Sequence, residues 1–286
     1  IDCTKYTSSY GYTELNGSSV GFKVSFINKY GAIQSEFFTL KAIRDIKAQY
    51  RQSYFGILWA FITPLAIGLV WIFLNSSGTV EITDTGMPYP VFVFTGTIIW
   101  SIIVESINSP MTTTNGARGI LSKINFPKEA LLVSGILKLL FNSIIKIVLL
   151  LGFLLFFGVS YKWSLLLFPF ILLGGVFFGT VCGLFITPIG MLYNDIARMI
   201  SLGLRFVMYA APVVYAVPKE IGLFRDVMMW NPITPIITSA RETIVGNEFT
   251  MLPYFLIVLA VCIPLFMLGL VFYRVSIPII VERLSA

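Results

Sequence analysis

The chain has 286 residues, of which 57% are hydrophobic and only 12% charged, with a mean hydropathy of +0.86 and a formal net charge of +6. A soluble globular domain carries about 25% charged residues, so the composition excludes that class and describes a polytopic membrane protein. The positive balance needs no nucleic acid to explain it, because the distribution of Lys and Arg between the two membrane faces accounts for it.

Residues 1–33 are polar and rich in Ser, Tyr and Gly, with no cleavable signal peptide visible, and read as a cytoplasmic tail. Residues 34–286 form the transmembrane domain. Ile33, Phe37, Leu40, Ile43, Ile46, Tyr50 and Tyr54 recur every three or four positions, with Lys41, Arg44, Asp45, Lys47, Arg51 and Gln52 between them. This is the pattern of an amphipathic helix lying on a membrane surface. The 21 residues from Tyr54 to Leu74 then carry no charge, enough to cross a hydrocarbon core of about 30 Å.

Further apolar runs follow at Tyr89 to Ile107, Ala130 to Gly158, Trp163 to Leu192, Ile196 to Val217 and Met251 to Tyr273. The expected fold is therefore all-α, with six transmembrane helices. Placing both termini inside puts thirteen Lys and Arg residues on that side against four outside. The positive-inside rule then makes both termini cytoplasmic. Between the second and third runs, Gly116, Gly119 and Phe126-Pro127 predict a short helix broken by a kink. Before the last run, Ile221, Phe224, Val227 and Met228, then Trp230-Asn231-Pro232, then Ile236, Ile237 and Ile244 predict two short helices. They dip into the outer leaflet around a proline break.

Charges inside the runs stand out, since each costs roughly 2.5–3.5 kcal/mol at mid-membrane on insertion scales. Ser134, Lys138, Asn142 and Lys146 recur every four residues and form one polar stripe on the third run. Glu105 is the expected partner of Lys138, and Arg205 shares a face with Ser201 and Tyr209. The surplus cations suit an anionic substrate group; snorkelling and structural pairing are the competing reading. Trp59, Trp71, Phe73, Trp100, Phe206, Tyr209 and Tyr215 are placed to line a path where flat rings stack on sugar rings, or to serve as interfacial belt residues. Gly175, Gly179 and Gly183 form two overlapping G-x-x-x-G steps that permit close helix approach, within one chain or across a dimer. Cys182 and Cys262 fall inside runs and Cys3 in the tail, so no structural disulfide is expected.

The residues Arg44-Asp45-Ile46-Lys47, Tyr50-Arg51, Ser53, Gly56, Trp59-Ala60 and Pro64-Leu65 resemble the N-terminal signature of type-2 ABC exporter permeases. They are most similar to the branch exporting O-antigen, capsule and teichoic-acid polysaccharides. Gly96, Trp100, Ile120 to Glu129, Pro212 to Tyr215, Asn231-Pro232, Pro235 and Arg241 follow in the same order, so the resemblance covers about Phe37 to Arg274. It implies an ABC-2 type transmembrane domain over 34–286, working as a homodimer with two nucleotide-binding ATPase subunits. The chain itself has no G-x-x-x-x-G-K-[ST] loop, no His and no Cys/His cluster. The resemblance therefore implies no catalytic residue, metal or cofactor here, with ATP and magnesium bound by the partner.

The resemblance further implies that Lys41, Arg44, Asp45, Lys47, Arg51, Lys123, Phe126, Pro127 and Asp195 face the ATPase. Membrane anchoring alone is the competing reading for the first five. Asp195 lies in Tyr193-Asn194-Asp195-Ile196, a weak echo of Arg44-Asp45-Ile46 in which Asn194 stands where the family often has Arg. Glu105, Lys138, Lys146, Arg205, Trp59, Trp71, Trp100, Tyr209 and Tyr215 are expected along a substrate path. Paired re-entrant helices bearing Trp230, Asn231, Pro232 and Arg241 are expected to form an outer gate. The expected function is the permease subunit of an ATP-driven exporter of a lipid-linked, O-antigen-type polysaccharide in the cytoplasmic (inner) membrane. A teichoic-acid or capsule exporter, or a membrane enzyme or assembly factor acting on lipid-linked sugars, are the alternatives.

Overall fold

The computed structural model describes residue 43 and residues 58–78, 87–121, 128–159, 162–218, 220–246 and 249–285. Every regular element among them is helical: α1 (Trp59–Ser76), α2 (Tyr89–Gly116), α3 (Arg118–Leu121), α4 (Glu129–Phe156), α5 (Phe168–Leu192), α6 (Asn194–Val207), α7 (Leu223–Trp230), α8 (Ile233–Val245) and α9 (Leu252–Ser285). Single 3-10 turns at Trp163–Leu167 and Met208–Ala210 lead into α5 and out of α6.

Helix α2 is the hub. Over its apolar window 78% is buried inside the protein, against 33% for α4 and 22% for the final helix, so the outer helices leave most of their apolar surface for lipid. Its start follows from Pro88, which is extended at φ −55°, ψ 133°, with Pro90 in the first turn where no N–H is needed. Its core residues Val91, Val93, Ile98, Ile99, Ile102 and Ile103 are almost fully buried.

The α2–α5 seam is set by the glycine stripe. A Cβ on Gly179 would lie 2.5 Å from Ser106 Cβ and 2.9 Å from the Ile103 carbonyl, and one on Gly183 would lie 2.9 Å from Pro110 Cγ. Real side chains cannot approach so closely, so only glycine allows these backbones to meet. The two G-x-x-x-G steps therefore serve packing within the chain.

Among the described residues four helical segments are long and apolar enough to cross a membrane: Tyr89–Gly116, Glu129–Phe156, Trp163–Leu192 and Leu252–Arg283. The other two expected crossings differ. The first is described only from Leu58, its apolar helical part running Ile62–Ser76. The run from Ile196 to Val217 is helical only to Ala210, because α6 is strongly amphipathic and the chain turns at Ala211 to Tyr215.

Two helices outrun their apolar sequence. α2 continues past Ile107 to Gly116, where the Thr112 and Thr114 hydroxyls donate to carbonyls one turn back and Thr114 also meets Tyr273 Oη at 2.7 Å. The final helix continues past Tyr273 to Ser285, its far part packed through Ile277 and Ile280. Of the expected kinked segment the single turn α3 is described, tied to the end of α5 by Arg118 Nη2 donating to the Met191 carbonyl at 2.9 Å, while Phe126-Pro127 lies outside the described residues.

Helices α7 and α8 flank Asn231-Pro232, as the break predicted. Asn231 Oδ1 accepts from the Ile233 N–H at 3.0 Å, an Asx turn that starts α8. Gly246 ends it in the left-handed conformation at φ 69°.

Candidate functional site

Midway along α2, Glu105 faces α4. Its Oε2 lies 2.6 Å from Lys146 Nζ, and its Oε1 accepts from Asn142 Nδ2 at 2.7 Å. The expected pairing of Glu105 with Lys138 is therefore corrected. Asn142 and Lys146 are one turn apart and present adjacent donors to one carboxylate, whereas Lys138 lies two turns from Lys146 towards the Glu129 end. Ser134, Asn142 and Lys146 are buried, as a stripe unsuited to lipid requires, and Lys138 is half-buried.

A second buried cation ties α8 to the rest. Arg241 Nη1 donates to the Pro212 carbonyl and Nη2 to the carbonyls of Val213 and Phe92, the last at 3.0 Å. Its guanidinium carbon sits 3.6 Å from the centroid of the Phe92 ring, a cation–π contact. Gly96 lies beneath it, where a Cβ would collide with Arg241 Nη2 and the Val213 carbonyl. Asn231 Nδ2 donates to the Ala210 carbonyl at 3.0 Å and Thr234 Oγ1 to the Met228 carbonyl at 2.6 Å, so the α7–α8 pair is stitched to the turn after α6.

Aromatic side chains gather beside this node. Trp71 on α1 lies 6.4 Å from Tyr209 and 6.5 Å from Tyr215, centroid to centroid, and Tyr215 lies 5.7 Å from Phe224 on α7. The Tyr215 hydroxyl donates to the Tyr209 carbonyl. Tyr209 and Phe224 remain half exposed, leaving flat apolar faces with a polar rim.

Other expected residues are placed apart. Trp59 and Trp230 are exposed, while Trp100 is packed in the central core at 7% exposure. Pro232 is half-buried at the start of α8. Arg205 is exposed on α6, and Asp195 sits in the first turn of α6, 4.0 Å from Arg198. Lys41, Arg44, Asp45, Lys47, Arg51, Lys123, Phe126 and Pro127 lie outside the described residues.

One feature escaped the sequence reading. Ser101, Glu105, Asn108 and Thr112 recur at spacings of four, three and four, forming a half-exposed to exposed polar stripe down the otherwise buried α2. Ser101 and Asn108 donate to carbonyls of their own helix at 2.8 and 2.9 Å. The signal was the period of the polar residues, masked by the high apolar content around them.

Comparison with known proteins agrees with this architecture. Residues 36–245 match the family model described as ABC-2 type transporter. Two proteins of Klebsiella pneumoniae and one of Myxococcus xanthus, each named O-antigen export system permease protein RfbA, are similar to the chain. The first Klebsiella protein is 25% identical, covering 70% of this chain and 76% of its own length. The Myxococcus protein is 27% identical, covering 68% and 75%. The second Klebsiella protein is 24% identical, covering 74% and 83%.

Proposed function

Because the chain belongs to the ABC-2 type transporter family, we propose that it is the permease subunit of an ATP-driven exporter moving an O-antigen-type, lipid-linked polysaccharide across the cytoplasmic membrane. The observation that carries this reading is the agreement of three relatives, each named for O-antigen export, over about two thirds or more of this chain. The proposed unit is two copies of the chain with two ATPase subunits, which bind ATP and magnesium. In it each chain crosses the membrane six times, with both termini in the cytoplasm. The segment bearing Lys41, Arg44, Asp45, Lys47 and Arg51, together with Lys123, Phe126, Pro127 and Asp195, faces the ATPases.

In this reading the half-exposed stripe on α2 borders water, since polar side chains at that depth are disfavoured against lipid. The Glu105–Lys146–Asn142 cluster braces α2 against α4, and half-buried Lys138 adds positive charge nearer the cytoplasmic end. Trp71, Tyr209, Tyr215 and Phe224 offer ring faces to passing sugars near the outer end, with Trp59 exposed further along α1. Trp100 supports packing. The pair α7–α8 dips into the outer leaflet and forms the gate, with Trp230 at its tip and Arg241 fixing its seat.

The test is purification of the chain from its native membrane in mild detergent, followed by ATPase assay with and without lipid-linked polysaccharide. An associated ATPase whose turnover changes with polymer is the expected result. An intact preparation with no ATPase would move the function to a membrane enzyme or assembly factor. The double substitution Arg44→Glu with Arg51→Glu should abolish polymer export while membrane insertion persists, and unchanged export would end the docking role.

A further inference from the structure

Helix α6 carries two arginines on one line. Arg198 and Arg205 are seven residues apart, so they project within about 20° of each other and about 10 Å apart along the axis. Both are exposed, with Ser201 between them. Together with Ala197, Leu202 and Met111 of α2 they line a hollow of about 490 Å³.

Four other cations are held by partners within the protein, and these two are not held in that way. Lys146 has Glu105, Arg241 has three carbonyls, Arg118 has the Met191 carbonyl and Arg274 has Glu129. Arg198 has only Asp195 at 4.0 Å, with both side chains at least 85% exposed, an arrangement of little strength. Arg205 has no hydrogen-bond or ion-pair partner among the described residues. It lies eleven residues, about 16 Å, along the helix from Asn194. An arginine on a helix that enters the membrane is costly unless it meets water or an anion.

The exposed face of α6 is itself divided. Beside the Arg198–Ser201–Arg205 line run Met199, Leu202 and Phe206, all more than half exposed. An anion-binding line next to an apolar strip fits a ligand with a phosphate head and a hydrocarbon tail. Guanidinium forks match phosphate oxygens two at a time, and two of them along one line suit a diphosphate better than a single phosphate.

We propose that Arg198 and Arg205 bind the diphosphate headgroup of a lipid-linked substrate as it leaves the cytoplasmic leaflet, with Ser201, whose hydroxyl donates to the Ala197 carbonyl at 3.0 Å, lining the hollow between them. This assignment rests on the export reading above and adds to it the place where the carrier is held. Neither Arg198 nor Ser201 was singled out by the sequence for a role in binding.

The test uses the purified complex in nanodiscs of zwitterionic lipid, with radiolabelled polyprenyl diphosphate lacking sugar as the probe. Arg198→Gln with Arg205→Gln should weaken binding at least tenfold, Lys at both positions should weaken it less, and inorganic pyrophosphate should compete on the unaltered protein. Unchanged binding by the Gln double variant, or no competition by pyrophosphate, overturns the site. Equal competition by phosphatidylglycerol also overturns it, making the hollow a site for bulk anionic lipid. Polymer-dependent ATPase activity of the unaltered complex, measured in the same discs, reports on the export reading separately. Its absence with tight diphosphate binding would remove the exporter and leave the site.

Discussion

Among the described residues two cations are buried, and they are stabilised by opposite means. Lys146 meets a carboxylate, Glu105, with Asn142 filling the second oxygen. Arg241 meets no acid and spreads its charge over three carbonyls and the Phe92 ring. The first arrangement joins two side chains on regular helices, so both members can be exchanged together. The second uses an arginine to satisfy backbone carbonyls in the turn at Pro212 and Val213, and that need remains when the side chain is removed. A pair of opposite side chains on two helices is thus replaceable as a pair, whereas a side chain serving irregular backbone is not.

Substitution separates the two cases. Arg241→Met should cost about 4 kcal/mol, since the Pro212 and Val213 carbonyls lose a partner at about 1–3 kcal/mol each and the cation–π contact adds about 1. Thermal unfolding in detergent measures it, together with trypsin sensitivity of the α7–α8 pair. Glu105→Gln alone should cost about 3 kcal/mol, because Lys146 is left buried without its counter-charge. Glu105→Leu combined with Lys146→Met should return to within about 1 kcal/mol of the unaltered protein. A tolerated Arg241→Met beside a collapsed double variant would invert the comparison.

Two smaller effects extend the scale towards solvent. Tyr273→Phe removes the buried hydrogen bond to Thr114 and should cost about 1 kcal/mol in the same unfolding assay, because Thr114 keeps its bond to the Pro110 carbonyl. Arg274→Ala breaks the pair with Glu129 at 3.3 Å, whose arginine side chain is 76% exposed. It should cost no more than about 0.5 kcal/mol, and less at high salt. A larger loss for Arg274 than for Tyr273 would mean that exposure does not rank these contacts.

The apolar runs located α2, α4, α5 and α9 because hydrophobicity over twenty residues is a property of sequence alone. Their ends were less legible. Thr112 and Thr114 look like loop residues until their hydroxyls are seen returning bonds to the helix, and Tyr273 needed Thr114 as a partner 159 positions away. The glycine stripe announced close packing, but its partner surface on α2, around Ser106 and Pro110, is a matter of tertiary arrangement. Glu105 pairs with Lys146 and not with Lys138 because α2 runs to Gly116, which places Glu105 nearer mid-helix than a run ending at Ile107 suggests. Trp71, Tyr209 and Tyr215 were individually legible as aromatics near ends of runs. That they meet, with Phe224 beside them, depended on the turn after α6.

The 34-residue final helix has a further mechanical meaning. From Leu252 to Tyr273 it rises about 32 Å, matching one hydrocarbon thickness, and the twelve residues beyond Tyr273 add about 18 Å. Those twelve residues do not stand free: Ile277 and Ile280 share one buried cluster with Tyr273, Met111, Leu132, Leu184 and Met191, and Tyr273 meets Thr114 of α2 at 2.7 Å. Pro278 falls in the middle of them and removes one helical hydrogen bond. The final helix is thus clamped to α2, α4 and α5 on both sides of the position where its own backbone is weakest, so bending there is opposed by side-chain packing and not by the helix itself.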